Sequence, residues 1–227
     1  MPRPIAVLRP EPGNSATARR IEALGLTAIR LPLFAVQPLA WQAPDARRFD
    51  AIIVTSANAV RHAGPALDRL RHLPTFAVGK ATAEAAQTAG FSVALTGEGD
   101  AAALMAAAQR HGVTRGLHLS GRDVSAGDGG ADGIIAERVA VYASEEVPIG
   151  RDELTALIGT VALLHSPRAG ARLAALIDQA GIARATLDIA AISHAAADAA
   201  GHGWGAVAVA DAPNDAALIA TAQRLAD

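Results

Sequence analysis

The sequence predicts an α/β fold of two similar parallel-sheet domains, and three observations predict it. Short β-rich runs alternate with Ala-rich amphipathic runs along all 227 residues, the sign of repeated βαβ units. Segments of the first half recur in the second at a nearly constant offset, the sign of a duplication. The second copy runs out of chain before it is complete, and the N-terminal segment has the pattern it lacks.

The strands expected from apolar runs are 5–8, 27–33, 51–54, 75–78, 91–95, 116–119, 138–142, 161–164, 187–192 and 206–209. Most are continuously apolar, as in strands covered on both faces. Helical patterns occupy 15–24, 57–70, 80–89, 100–110, 151–157, 169–180, 194–200 and 215–225, with Gly25, Gly90, Gly112 and Gly181 where helices should stop. The repeat is read from three matches. Ala51-Ile52-Ile53-Val54-Thr55-Ser56 resembles Val161-Ala162-Leu163-Leu164-His165-Ser166, and Val78-Gly79-Lys80-Ala81 resembles Ile192-Ser193-His194-Ala195. Leu104 with Gln109-Arg110 matches Leu218 with Gln223-Arg224. The first copy continues through 116–122 to a strand at 138–142. The second lacks such a strand, helix and strand, and residues 5–34 supply them. The expected organisation is a discontinuous domain of residues 1–36 plus 145–227, with 37–144 inserted as the other domain. Two adjacent extended segments, 33–38 and 141–148, would link them as a hinge with the ligand in the cleft.

Composition bounds the function. Half the residues are apolar and 19% are charged, so the chain is globular. With 3% aromatics, the core must be built from Ala, Val, Leu and Ile. A net charge of −2 gives no bulk attraction for nucleic acid or an anionic membrane. The absence of cysteine excludes disulfides, thiolate metal sites and cysteine nucleophiles. No apolar run approaches the ~18 residues of a membrane span. Met1-Pro2-Arg3-Pro4 leads straight into a strand without a signal-peptide core, so a cytoplasmic protein is expected.

In open parallel sheets ligands bind beyond the carboxyl ends of the strands, where helix N-termini suit carboxylates and phosphates. Thr55-Ser56-Ala57-Asn58, Gly79-Lys80, Ser120-Gly121-Arg122, Ser166-Pro167-Arg168 and Ser193-His194 fall at such points, and Arg9 completes the set. Each alone is an ordinary helix cap. Together they suggest a site for a polyanion. No GxGxxG or GxxxxGK[ST] is present, so neither a dinucleotide nor a P-loop site is supported. The Gly-rich stretch 127–133 reads as a loop, and no histidine or carboxylate spacing suggests a metal. His118, inside a strand, reads as a packed residue. Tyr142, the only tyrosine, lies at the proposed hinge. Spacing leaves hinge packing and proton donation both open.

These residues resemble the uroporphyrinogen-III synthase family. The resemblance is carried by Val7-Leu8-Arg9-Pro10, Val54-Thr55-Ser56-Ala57-Asn58-Ala59-Val60, Val78-Gly79-Lys80-Ala81-Thr82-Ala83, Val141-Tyr142-Ala143-Ser144 and Ser166-Pro167, with the run at 215–218. Leu8, His165 and Ser193-His194 depart from the family's pattern. The resemblance implies two flavodoxin-like (Rossmann-like) domains joined by a two-stranded β linker, the N-terminal segment folding into the C-terminal domain. It implies an enzyme that cyclises the linear tetrapyrrole hydroxymethylbilane to uroporphyrinogen III. Ring D is inverted through a spiro-pyrrolenine and water is lost, in haem, sirohaem and cobalamin biosynthesis. No cofactor and no metal are implied. Tyr142 is the implied proton donor to the departing hydroxide. Thr55, Ser56, Asn58, Gly79, Lys80, Ser120 and Ser166 are the implied carboxylate binders, supported by Arg9 and Arg122. A monomer is expected, with transient handover from hydroxymethylbilane synthase as its one protein contact. Two other readings keep the fold without the chemistry: a two-lobed module for small anions, and an inactive paralogue.

Overall fold

The computed structural model describes residues 2–97, 101–123 and 133–227. Strands form at β1 (Ile5–Val7), β2 (Ala28–Arg30), β3 (Phe34–Pro38), β4 (Ala51–Val54), β5 (Thr75–Val78) and β6 (Val93–Gly97). They continue at β7 (Gly116–Gly121), β8 (Ile135–Glu146), β9 (Val161–Leu164), β10 (Asp188–Ala191) and β11 (Val207–Val209). The helices are α1 (Gly13–Ala23), α2 (Ala57–His62), α3 (Lys80–Thr88), α4 (Ala101–Arg110), α5 (Arg151–Thr155), α6 (Pro167–Gln179), α7 (His194–Ala200) and α8 (Asp215–Ala226). The chain divides into two compact units, Met1–Ala35 with Glu146–Asp227 and Val36–Glu145.

The discontinuous unit is built on a five-stranded sheet in the order β11-β10-β9-β1-β2, parallel throughout. Side chains on successive strand residues alternate between its two faces. Ala6, Leu8, Ala162, Leu164, Ile189 and Ala191 pack on one side with Leu173 and Ile177 of α6. Ile5, Val7, Val161, Leu163 and Ala190 pack on the other with Ile21 of α1 and Leu218 of α8. Burial on both faces explains why β1 and β9 read as unbroken apolar runs. Each buried Leu, Ile or Val stabilises the unit by about 1.5–3 kcal/mol.

The continuous unit carries a six-stranded sheet in the order β3-β8-β7-β4-β5-β6. From β8 to β6 its pairs are parallel. Ile52, Val54, Leu117 and Leu119 face α2 and α3. Ala51, Ile53 and Phe76 face Leu104, Met105 and Ala108 of α4. With β4, β5 and β6 set against β9, β10 and β11, as the sequence repeat aligns them, the two sheets have one spatial order. β8-β7-β4-β5-β6 matches β2-β1-β9-β10-β11, and the chain enters the common arrangement at different strands. In each sheet the order reverses once, between β7 and β4 and between β1 and β9.

Several elements differ from the sequence expectation. The helix expected over 57–70 ends at His62, and Gly64–Leu70 forms a 3-10 turn. Gly64 has φ +67°, outside the helical region, and Pro65 has no N–H and would crowd a preceding helical carbonyl. The strand expected at 27–33 is regular only over β2, although Leu31 and Leu33 still donate to the carbonyls of Val7 and Leu8. The strand expected at 138–142 is much longer, as β8. Residue 100, expected to open a helix, and the Gly-rich stretch up to 132 lie outside the described residues.

Candidate functional site

At the β4–β7 switch point, β4 delivers Thr55 and Ser56 to the start of α2. Ser56 has an extended backbone and its hydroxyl accepts from the Asn58 N–H at 3.2 Å, a helix cap. Asn58 lies in the first turn of α2. The Thr55 hydroxyl is 3.3 Å from Nε2 of His118 on β7. His118 is fully buried. Burial, with the nearby Arg138 charge adding, pushes its pKa down to about 4, so the imidazole is neutral at pH 7.

At the end of β5, Gly79 has φ +75° with no atom near its missing Cβ. Only glycine adopts this backbone without strain, and its C=O accepts from the Ala83 N–H at the start of α3. Lys80 follows with an almost fully exposed ammonium, 3.7 Å from Glu84. At the end of β7, Ser120 differs from expectation: it is buried within the strand and its hydroxyl donates to the Gly121 carbonyl at 3.0 Å. Strand alternation turns it into the unit rather than toward a helix start. Arg122 reaches Glu145 at 3.0 Å and Asp123 at 3.5 Å. Tyr142 on β8 pairs in register with Gly121. A Cβ on Gly121 would come within 2.8 Å of the Tyr142 ring, so glycine there lets the phenol lie flat on β7. The Arg122 N–H donates to the Tyr142 carbonyl at 2.8 Å. The His62 ring lies 6.4 Å from the phenol, and burial, reinforced by Arg61, holds its pKa below the usual histidine range.

In the discontinuous unit the β1–β9 switch point is organised by a residue the sequence reading did not single out. The Asp215 carboxylate, at the first position of α8, takes Oδ1 contacts from His165 Nε2 at 2.8 Å, Thr17 at 2.8 Å and Arg9 at 3.4 Å. Its Oδ2 accepts from Arg20 at 2.5 Å. Burial raises the Asp215 pKa, but the hydrogen bonds from His165, Thr17 and Arg20 outweigh it and hold the carboxyl below its usual range. Burial also lowers His165, against the opposing pull of Asp215. Arg9 is therefore not a free cation at a strand end. It lies across Gly13, where an added Cβ would collide with its guanidinium. The fully buried Asn14 fixes the turn, donating to the carbonyls of Val7 and Arg9. Ser166 caps α6 by accepting from the Ala169 N–H at 3.2 Å, and Ser193 caps α7 in the same way at 3.3 Å.

The structure thus gathers Thr55, Ser56 and Asn58 at one strand end. It sets Arg122 beside Tyr142 and Gly121 at another, and gives Gly79 and Lys80 a third. Asp215, Thr17 and Arg20 were missed because they are distant in sequence. The available signal was an Asp directly after Asn214, the cap of the last helix.

A family model described as uroporphyrinogen-III synthase HemD matches residues 15–220. The chain belongs to the uroporphyrinogen-III synthase family. Its fold is that of uroporphyrinogen-III synthetase from Helicobacter pylori 26695, whose crystal structure superposes with a TM-score of 0.69 at 18% identity. The match covers 99% of this chain and 100% of that one. A mutant uroporphyrinogen III synthase from the extremely thermophilic bacterium Thermus thermophilus matches with a TM-score of 0.52 at 15% identity, over 99% of this chain and 97% of that one. Comparison with curated proteins gives no match. The chain is an enzyme of the uroporphyrinogen-III synthase kind, a lyase of porphyrin biosynthesis, and the readings without chemistry are not favoured. Among the described residues, no helix is long and apolar enough to cross a membrane.

Proposed function

We propose that the chain binds hydroxymethylbilane through hydrogen-bond donors spread over several strand ends and closes it to uroporphyrinogen III with ring D inverted. The family match over residues 15–220 carries this reading. Thr55, Ser56, Asn58, Gly79, Lys80 and Ser166 take substrate carboxylates, with Arg9, Ser120 and Arg122 in support. Ser120 acts through the backbone it fixes at Gly121. Substrate geometry does most of the catalysis: holding the bilane so that the substituted carbon of ring D is attacked favours inversion over simple closure. Tyr142 gives the proton that lets hydroxide leave. Its support is the ring's place against Gly121, beside Arg122 and a neutral His62.

The two units act as flavodoxin-like domains with β3 and β8 as their two-stranded linker. The 2-1-3-4-5 order of β2-β1-β9-β10-β11 supports this, as does the fall of both unit boundaries within those strands. The enzyme works as a cytoplasmic monomer that receives its unstable substrate from hydroxymethylbilane synthase.

The test is incubation of the purified protein with freshly made hydroxymethylbilane, oxidation, and separation of the uroporphyrin isomers. Isomer III is expected in proportion to protein. Isomer I alone at every protein concentration, the product of spontaneous closure, sinks the reading. Because binding is distributed, Ser56→Ala should lower kcat/KM by less than about tenfold. A thousand-fold loss would instead make Ser56 indispensable.

A further inference from the structure

We propose that His118 is a positioning residue for this reaction, holding the Thr55 oxygen through Nε2–H so that the threonine proton is left for a substrate carboxylate. The inference rests on the reading of Thr55 as a carboxylate binder.

His118 sits in the middle of β7, in register with Ile53 of β4 and Arg138 of β8. Its neighbours along the strand, Leu117 and Leu119, are fully buried core residues. An imidazole in that place costs stability that a leucine would not, because Nδ1 is buried with no hydrogen-bond partner among the described residues. Among the described residues, the polar contact that offsets the cost is Nε2 to Thr55 Oγ1 at 3.3 Å.

A neutral imidazole carries one proton, and there are two places for it. With the proton on Nδ1, a buried N–H has no acceptor and Nε2 accepts from the Thr55 hydroxyl. With the proton on Nε2, the unmatched group is only a lone pair on Nδ1. Orphaned buried N–H groups are rarer than under-used acceptors, so Nε2–H is the favoured form. Thr55 then accepts from His118, and its own hydrogen has no acceptor among the described residues. The hydroxyl is half-buried at the carboxyl end of the central strand β4, directly before the Ser56 cap. A fixed hydroxyl donor without an internal acceptor suits an anion. Without His118 the same hydroxyl rotates among its staggered positions, and part of its binding is lost to ordering it.

Two measurements test this. The imidazole ¹⁵N shifts of the unaltered protein should report the Nε2–H tautomer between pH 6 and 8; the Nδ1–H tautomer overturns the proposal, and no variant has to fold. A double-mutant cycle then reads KM and kcat for hydroxymethylbilane. Thr55→Val and His118→Leu should each raise KM about three- to tenfold, with kcat little changed. The double variant should be no worse than Thr55→Val alone, and His118→Gln, whose amide nitrogen can donate near the Nε2 position, should recover most of the loss. Losses that multiply in the double variant, or a lost kcat with unchanged KM in His118→Leu, overturn the role. An unchanged KM in Thr55→Val removes Thr55 from the site and the role of His118 with it. Failure of the synthase reading itself is seen separately, as absence of isomer III.

Discussion

The strand ends after β4 and after β9 are the same position in the two copies, and they are used in opposite ways. Thr55 stands in one and His165 in the other. His165 is tied to Asp215, which also gathers Thr17, Arg9 and Arg20. In the continuous unit the place of Asp215 is held by Ala101, and among the described residues the contact of the Thr55 hydroxyl is the His118 imidazole, not a carboxylate. The difference teaches that counting basic and hydroxyl groups near a sheet end overstates what a ligand meets. A donor already held by an internal carboxylate is available only if that pair breaks, whereas the Thr55 hydroxyl has no carboxylate partner among the described residues. We accordingly propose that more of the binding falls on the continuous unit.

The comparison can be broken by removing its hub. Asp215→Ala leaves a buried imidazole, a buried hydroxyl and two guanidinium groups without their acceptor, and should cost about 4 kcal/mol in urea unfolding. A loss below about 1 kcal/mol would mean that the cluster is not what holds α8 to the β1–β9 end. The two histidines sharpen it through pH. The folded-state pKa of His118 lies at about 4, below its ordinary 6.5. Between those values the unfolded chain binds the extra proton, so stability is full above pH 6.5 and falls as pH drops toward 4. The loss should be on the order of 3 kcal/mol. His165 shifts in the same direction. The lowered Asp215 contributes stability that is lost only at more acidic pH, as its carboxyl protonates. In His118→Gln the loss between pH 6.5 and 4 should be visibly shallower. A curve identical to the parent would show that His118 is solvated.

Helix packing provides a smaller contrast. Gly170 of α6 lets α7 approach so closely that a Cβ would meet the Ala196 carbonyl oxygen at 2.6 Å, while the corresponding position of α2 is Val60. Gly170→Ala should destabilise by about 2 kcal/mol, despite alanine's better helix propensity. The smallest effect is expected at Glu145. Its pair with Arg122 is half-exposed, so Glu145→Gln should leave the urea-unfolding midpoint unchanged. It should also lower KM modestly by releasing the guanidinium, and a raised KM would show that Arg122 needs Glu145 to be placed.

The sheets were legible because the sequence repeats. The match of 51–56 with 161–166 marks the two central strands at the switch points, and burial on both faces makes them unbroken apolar runs. The break at Gly64-Pro65 was also written in the chain, but the apolar period of 57–70 continues through it, since Leu67 and Leu70 are buried from the 3-10 turn as they would be from a helix. The caps Ser56, Ser166 and Ser193 were legible because capping is local. The Asp215 cluster was not, since its members come from α1, α8 and the ends of β1 and β9, and only folding brings them together. Ser120 was read at a strand end because the apolar run stops at Leu119, but β7 runs on through Gly121.

The different entry points of the chain into one sheet order also set a timetable for synthesis on the ribosome. β1 is a central strand, and its Ile5 pairs with Val161 as well as with Ala28. At about 5–20 residues per second, one side of β1 waits on the order of ten to thirty seconds for β9 to be translated. The continuous unit has all its strands by then. The nascent β1 therefore spends that interval as an apolar strand with an open edge, where a chaperone has the most to protect.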